Sequence, residues 1–250
     1  MVDCNLVCAA VAPTAQQGFR TCSWKTVQDL NYLCGACGVG RVPSDTELCP
    51  PGETIGERLA RQAYYEAASV IAFVRLTDTL EDAHAPRALI ERAHAAAKDE
   101  GRHASLFAVL AAKNGAPTIA LTYRAATPSL FELAVENATE GCVRETFGAV
   151  VTLHQAAYAE SAAIRDAFAA IAEDEAEHAA LSWELKAWFD TQLTAEERAH
   201  VQDAHVRALA DARRDAATAP DAPGLALGLP APERAQRMLD TLMHAMATAA

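Results

Sequence analysis

The sequence predicts an all-α protein built around a four-helix bundle whose two helical hairpins repeat one another. Within residues 53–192, apolar residues return every three or four positions, as on the buried face of a helix. The motif Asp-Glu-x-x-His occurs there twice, beginning at Asp99 and at Asp174. Glu66 precedes the first copy much as Glu140 precedes the second. The pattern therefore predicts two similar hairpins, each with its own Glu and its own Glu-x-x-His.

The composition is that of a globular chain with an acidic balance. Of the 250 residues, 51% are apolar and 22% are charged, and the formal net charge is -12. No run of Lys or Arg offsets this charge, so nucleic acid and anionic membrane surfaces are disfavoured as partners. The longest stretches without formal charge, residues 4–19 and 146–159, contain polar residues. They fall short of the ~20 apolar residues that a membrane-spanning helix needs, so no membrane span is expected.

Residues 1–52 lack helical periodicity and are predicted to form an irregular, cysteine-rich cap. They contain six of the seven cysteines, namely Cys4, Cys8, Cys22, Cys34, Cys37 and Cys49. A dense, even-numbered set in a short segment is typical of disulfides, here three, and of an oxidising compartment. A zinc site is the alternative, although Cys34-Gly-Ala-Cys37 is the one close pair and a zinc ribbon normally has two.

The compartment follows from these cysteines rather than from a targeting segment. The chain opens Met1-Val2-Asp3-Cys4, without the basic and then apolar residues of a signal peptide. An exported or periplasmic location, with a signal already removed, is expected if the cysteines form disulfides. A cytoplasmic location is expected otherwise.

The first predicted hairpin has one helix on each side of Pro86. Its first helix begins near Ile55 and buries Leu59, Ala63, Glu66, Val70, Phe73, Leu76 and Leu80. Its second helix buries Leu89, Ala93, Ala96, Glu100, His103, Phe107 and Leu110. Asn114-Gly115 is typical of a left-handed helix cap and ends the hairpin.

The second predicted hairpin follows an extended segment, residues 116–127. A dozen extended residues span on the order of 40 Å, about the length of a 28-residue helix, so the segment can cross the bundle from end to end. Thr127 is the predicted cap and Pro128 the first residue of the third helix. The third helix buries Leu133, Glu140, Val143, Phe147 and Val151. The fourth buries Ile164, Phe168, Ile171, Glu175, His178, Leu181 and Leu185.

Residues 193–250 are predicted to add two helices to the outside of the bundle. Thr194 and Glu197 form a capping box that opens a charged helix reaching about Ala217. A turn rich in Pro and Gly, residues 220–232, precedes a last helix that ends near Met246. Nothing in these two helices indicates chemistry.

The ionisable residues on the buried helix faces predict a two-metal site. They are Glu66, Glu100, His103, Glu140, Glu175 and His178. Burying so many unpaired carboxylates is prohibitive without cations. A Glu from two helices and a Glu-x-x-His from two others is the ligand set of di-iron and di-manganese bundles. We expect all six to bind metal and the four glutamates to take part in catalysis.

A single Glu-x-x-His carries little information, because the chain contains five. Glu81/His84 lies at a predicted helix end beside Pro86, and Glu197/His200 lies in a capped first turn. Glu91/His94 is nine residues before the Glu100 copy and faces roughly the opposite way at about 100° per residue. These three pairs are expected on solvated surfaces.

Neighbouring acidic residues are expected to support the ligands. A metal-binding imidazole usually donates its other N–H to a carboxylate, and Asp99 and Asp174 are the predicted acceptors. Glu136, one turn before Glu140, is a spare ligand.

Three further residues near these ligands are given other roles. Glu145 is rotated about 140° from Glu140 in an α-helix, so it is expected to pair with an arginine such as Arg144 or Arg102. Cys142 is expected to pack as a small apolar residue. Tyr64 and Tyr65 are expected to be core aromatics, with redox work beside Glu66 as the alternative.

These residues resemble the ferritin-like di-iron carboxylate superfamily of rubrerythrins, ferritins, multicomponent monooxygenases, desaturases and a tRNA hydroxylase. The Asp-Glu-x-Arg-His form at residues 99–103 is most similar to the oxygen-activating members. Residues 66–73 and 140–146 are similar to ferritin-like proteins of myxobacterial type. The resemblance covers residues 55–190. The chain lacks the rubredoxin module of classical rubrerythrin, and it differs from ferritin in its two site histidines and its terminal segments.

The resemblance implies an oxidoreductase with two Fe or two Mn that activates O2 or peroxide and oxidises a small substrate. Ferroxidase or iron-handling activity, and metals that only brace the bundle, are the alternatives. Hydroxylation of tRNA is disfavoured by the acidic balance. Substrate, metal identity, an external electron donor and oligomeric state stay open.

Overall fold

All of the regular structure in the described part of the chain is helical. The computed structural model describes residues 41–43, 46–47, 49, 52–123 and 127–249, except the side chains of 246–249. No strand occurs within these ranges. The predicted all-α class is therefore confirmed. The cysteine-rich cap lies almost wholly outside the described residues, as do Cys4, Cys8, Cys22, Cys34 and Cys37 with their predicted disulfides.

Two cysteines fall inside the described ranges, and both are buried free thiols. They are Cys49 and Cys142. Cys142 packs in the core, as predicted. Cys49 was predicted to join the disulfide set, and as a free thiol it departs from that prediction. Burial raises the pKa of the Cys49 thiol, which favours its neutral form.

The described chain divides into two compact units, residues 41–133 and 134–249. Each unit contains helices that pack on one another, which is compatible with the predicted helical bundle. The predicted limits of the three segments, 1–52, 53–192 and 193–250, stay predictions.

The first unit is a helical hairpin made of α1, Ile55–Asp82, and α2, Arg87–Lys113. Thr54 begins α1 with a capping box, since its hydroxyl accepts the Glu57 N–H and the Glu57 carboxylate accepts the Thr54 N–H. Pro86 separates the helices as predicted, and a short turn reverses the chain. Every residue predicted on the buried faces of α1 and α2 is buried.

The ends of the first hairpin meet at Gly56. A Cβ placed on Gly56 would collide with the backbone carbonyl of Asn114, just beyond the end of α2. A glycine therefore allows the first turn of α1 to approach the end of α2 closely.

The second unit begins within the first of three consecutive helical segments. They are α3, Leu130–Glu136, a π-helix, Asn137–Glu145, and α4, Thr146–Tyr158. Thr127 and Pro128 were predicted to start this helix, and that prediction is wrong by about two residues. Ser129 and Glu132 exchange the hydrogen bonds of a capping box, so the helix begins two residues later than predicted.

The long helix α5, Ala162–Gln192, packs on the π-helix and on α4. A short turn joins α4 to α5, so the two run antiparallel. Of the residues predicted to be buried in this hairpin, all are buried except Glu140, which is partly exposed.

The remaining helices of this unit are α6, Ala195–Ala216, α7, Ala222–Ala226, and α8, Pro232–Ala249. The predicted capping box of Thr194 and Glu197 starts α6. The short helix α7 lies within the predicted turn and was not foreseen. Side chains from the π-helix, α4, α6 and α8 form one apolar cluster, which includes Val143, Phe147, Ala212 and Leu239. No helix among the described residues has the length and apolar character to cross a bilayer.

Candidate metal centre

The first unit contains a buried group of two carboxylates and one imidazole. Glu66 comes from α1, and Glu100 and His103 come from α2. Each is at most 1% exposed. One ligand atom from each lies within 4.8 Å of the others. His103 Nδ1 is 3.6 Å from Glu100 Oε2 and 3.9 Å from Glu66 Oε2.

Helix geometry explains how the sequence assembles this group. Residues three apart lie on one helix face, so Glu100 and His103 both point away from solvent. The hairpin then packs α1 against that face, which brings the Glu66 side chain to the pair. The imidazole therefore presents Nδ1 to both carboxylates.

The chemistry of this group fits a metal ion. Carboxylate oxygens and imidazole nitrogens bind iron, manganese and zinc. Two carboxylates that have lost water and lie this close repel one another, and a cation between them removes that cost. The chain thus has a buried Glu/His group that could hold a metal ion, without indicating which metal.

Glu66 is held by a neighbour on its own helix. Gln62 Nε2 donates a hydrogen bond of 2.6 Å to Glu66 Oε1. Gln62 lies one turn before Glu66 and is partly buried. The other oxygen, Oε2, is the one that faces His103.

The second unit places a different glutamate beside its histidine from the one predicted. Glu145, at the end of the π-helix, and His178, on α5, offer ligand atoms within 4.8 Å of each other. Both are at most 2% exposed. Ser182 Oγ donates a hydrogen bond of 2.9 Å to Glu145 Oε2. Glu145 is therefore a candidate ligand, whereas its position in the sequence predicts an ion pair with an arginine.

Glu140, the predicted ligand of this helix, lies closer to the surface. Its side chain is 14% exposed, and its Oε1 is 3.4 Å from Arg144 Nε. It is not in the Glu/His groups found among the described residues. Its role as a metal ligand stays a prediction.

The π-helix accounts for the difference between Glu140 and Glu145. A rotation of 100° per residue applies to an α-helix, whereas a π-helix has i→i+5 hydrogen bonds and a wider turn. The 140° separation predicted between these two glutamates therefore does not apply. Asn137 and Gly141 are poor helix formers in mid-helix, so the sequence does indicate a departure from regular α-helix in this segment.

Several hydrogen bonds hold the π-helix and the first residue of α4 against α5 and α6. Asn137 Nδ2 donates to the Ser182 carbonyl at 2.8 Å, and Trp183 Nε1 donates to Thr146 Oγ1 at 3.1 Å. From α6, His205 Nδ1 lies 3.0 Å from the Ala138 carbonyl. Burial lowers the pKa of His205, so its imidazole is neutral and Nδ1 donates this bond.

The other predicted site residues lie as follows. Glu175 is buried on α5, at 5% exposure. Asp174 and Glu136 are partly buried. Asp99 pairs with Arg102, with 2.5 Å between Oδ1 and Nη1. The supporting roles predicted for Asp99, Asp174 and Glu136 stay predictions.

Tyr64 and Tyr65 are core aromatics, as expected. Their rings meet edge to face, and both are buried. Tyr64 Oη donates a hydrogen bond of 2.5 Å to the Glu47 carbonyl, and the Cys49 N–H donates to Tyr65 Oη at 3.3 Å. Burial raises the pKa of Tyr64 far above its ordinary value, so the phenol keeps its proton.

The three Glu-x-x-His pairs that were set aside lie on the surface, as expected. Glu81, His84, Glu91 and His94 are exposed and line an open cavity of about 560 Å³ at the turn between α1 and α2. Glu197 serves the capping box of α6. The candidate ligands therefore differ from these three surface pairs in lying on the buried faces of their helices.

Comparison with protein-family models, with curated proteins and with solved structures found no match for this chain.

Proposed function

We propose that this chain is a di-iron or di-manganese carboxylate oxidoreductase of ferritin-like type, which activates O2 or peroxide to oxidise a bound small substrate. The observation that carries the proposal is the buried group of Glu66, Glu100 and His103. Iron and manganese both accept carboxylate and imidazole ligands.

The internal repeat supports a second ion with a matching ligand set. In that set Glu175 and His178 correspond to Glu100 and His103. The fourth carboxylate is Glu140, from the sequence prediction, or Glu145, which lies beside His178. Four carboxylates and two neutral imidazoles carry four negative charges, which two divalent cations neutralise.

The chain's own contribution is to hold these groups in a dry, fixed arrangement. Phe73 and Phe107 are fully buried on the same two helices as the first group, so water is excluded from the surrounding core. The imidazoles bind through a ring nitrogen in their neutral form. When bound, the two ions would supply the redox chemistry with O2 or peroxide that side chains lack.

Excess ferrous iron supplied under air, with ascorbate as reductant, tests the proposed activity. We expect about two irons retained per chain, together with continued O2 uptake. Glu100→Gln should lose the retained iron and the O2 uptake above the protein-free rate, whereas Glu91→Gln, at an exposed glutamate of the same helix, should behave as wild type. Retention of hundreds of irons per assembly would indicate iron storage instead. Tightly bound metal that consumes neither O2 nor peroxide would indicate a structural brace.

A further inference from the structure

Two of the candidate ligands are each held at one oxygen by an uncharged hydrogen-bond donor. Glu66 Oε1 accepts from the Gln62 amide at 2.6 Å, while Oε2 faces His103 Nδ1 at 3.9 Å. Glu145 Oε2 accepts from the Ser182 hydroxyl at 2.9 Å. Glu66 is therefore divided between a neutral donor at Oε1 and the imidazole at Oε2, and Glu145 has a neutral donor at Oε2 and lies beside His178.

The donor on Glu145 belongs to a built network. Ser182 is fully buried and lies one turn after His178 on α5. The Ser182 hydroxyl is also 2.9 Å from the His178 carbonyl. The Ser182 carbonyl accepts from Asn137 Nδ2 at 2.8 Å and from Cys142 Sγ at 3.4 Å. The serine is therefore fixed to the π-helix that contains Glu145 by its backbone as well as by its side chain.

We propose that Gln62 and Ser182 are positioning residues that make Glu66 and Glu145 bind metal through one oxygen each. A donor on one carboxylate oxygen disfavours two-oxygen chelation, because it uses one of that oxygen's two lone pairs and lowers the electron density available to a metal. A neutral donor achieves this without the repulsion that a Lys or Arg would exert on a metal cation. Partners of this kind orient metal ligands and tune affinity.

The two donors also make the two candidate ligand groups different. The internal repeat places Glu136, a carboxylate, at the position that corresponds to Gln62. The first group therefore uses an amide one turn away on the same helix, and the second uses a hydroxyl from α5. The two metal positions are accordingly not equivalent, although the motif that builds them is repeated.

This inference rests on the proposed function, and Mn²⁺ titration of the metal-free chain separates the two. We compare wild type with Gln62→Met, which keeps the side chain's length, and with Ser182→Ala and Ser182→Cys. Ser105→Ala is the matched control, because the Ser105 hydroxyl bonds a carbonyl of its own helix, Gly101, at 2.9 Å. Gln192→Met, on an exposed glutamine, is the second control.

We expect Gln62→Met and Ser182→Ala to weaken Mn²⁺ binding by about 10- to 100-fold. The affinity of Ser182→Cys should lie between those of the wild type and Ser182→Ala. The controls should match wild type. The infrared difference spectrum on metal binding should show a narrower separation of the carboxylate stretching bands in the variants, as two-oxygen binding replaces one-oxygen binding. A purely structural role would lower the thermal midpoint of the metal-free chain without changing that separation.

Suppose that the wild type binds Mn²⁺, and that Gln62→Met and both Ser182 variants bind it with the same affinity and the same carboxylate bands. That result overturns this inference and leaves the proposed function standing. A wild-type chain that binds no Mn²⁺ or Fe²⁺ overturns the proposed function, and this inference with it. If Ser182→Ala does not fold, Ser182→Cys and Gln62→Met decide, since Cys keeps the volume and Gln62 is only partly buried.

Discussion

At the scale of single residues, the site combines groups that are costly to bury together. Glu66 and Glu100 are at most 1% exposed, and each has an oxygen within 4 Å of His103 Nδ1. Both carboxylates have lost water, and their negative charges repel one another. We therefore expect the metal-free site to reduce the stability of the fold, and a bound cation to restore it.

Glu100→Gln should raise the stability of the metal-free chain by about 1–3 kcal/mol, because it removes a buried negative charge and nearly conserves volume. The same change should reduce the stability gained on adding Mn²⁺. Denaturant unfolding with and without metal measures both effects. Glu91→Gln, exposed on the same helix, should change stability by about 0.5 kcal/mol or less. A metal-free Glu100→Gln chain less stable than wild type would contradict this account.

The burial of Glu66, Glu100 and His103 was predictable from sequence because each occupies an apolar position in a regular α-helical pattern. Glu145 was not, because its direction was calculated from Glu140 with α-helix geometry. The intervening residues form a π-helix, and that choice depends on partners from other helices such as Ser182 and His205. The apolar periodicity of one segment does not indicate which residues of other helices will contact it.

At the scale of helices, the first hairpin depends on one close contact between its ends. Gly56, in the first turn of α1, lies against the Asn114 carbonyl beyond α2. Gly101, in the middle of α2, has open space where a Cβ would lie. The two glycines sit in helices of one hairpin but differ in what surrounds them.

Gly56→Ala should destabilise the chain by roughly 1–3 kcal/mol, since the added methyl forces the helix away from a backbone atom. Gly101→Ala should stabilise it by about 0.5–1 kcal/mol through helix propensity alone. Thermal or denaturant unfolding of the two variants in parallel is the measurement. Equal effects of the two substitutions would show that the helix ends do not approach as described.

The π-helix depends on its neighbours in a similar way. Its hydrogen bonds are less favourable than those of an α-helix, so side chains from α5 and α6 must hold it. His205 donates to the Ala138 carbonyl, and a proton added to its buried ring would place a positive charge where little water can solvate it. Burial lowers the pKa of His205, and the nearby positive charge of Lys186 acts in the same direction.

This gives the chain a pH dependence with a definite sign. The folded pKa of His205 lies below the unfolded value of about 6.5. The stability contributed by the neutral ring is therefore present above that pH and is lost as the pH falls toward the folded pKa.

The variant His205→Asn keeps a donor at this position but does not titrate. Relative to this variant, the free energy of unfolding of the wild type should fall by on the order of 1 kcal/mol between pH 7.5 and pH 5. Unfolding of both metal-free chains across that range measures the difference. His200→Asn, at an exposed position of the same helix, is the control. A difference between wild type and His205→Asn that does not change with pH would refute the lowered pKa of His205.

The helices themselves were largely predictable, and their ends were less so. The capping box at Thr194 marked the start of α6 correctly. At the third helix, the sequence predicts a start at Thr127 and Pro128, whereas the capping box is formed by Ser129 and Glu132. Competing caps within a few residues differ by small energies, and the packed helix decides among them.

At the scale of the whole molecule, the all-α class followed from one repeated pattern. A chain with net charge -12 and buried acidic side chains needs compensating positive charge in its interior. In the function that we propose, divalent cations would supply this charge at the positions that the repeat marks. The cysteine-rich residues 1–40 lie outside the described structure, so their predicted disulfides and the compartment inferred from them stay predictions.

Metal analysis of the purified chain tests the central claim most directly. We predict about two Fe or Mn per chain, falling sharply in Glu100→Gln and in Glu175→Gln and unchanged in the surface control Glu91→Gln. A full-length chain that carries neither metal and takes up none on reconstitution with Fe²⁺ or Mn²⁺ would contradict the claim.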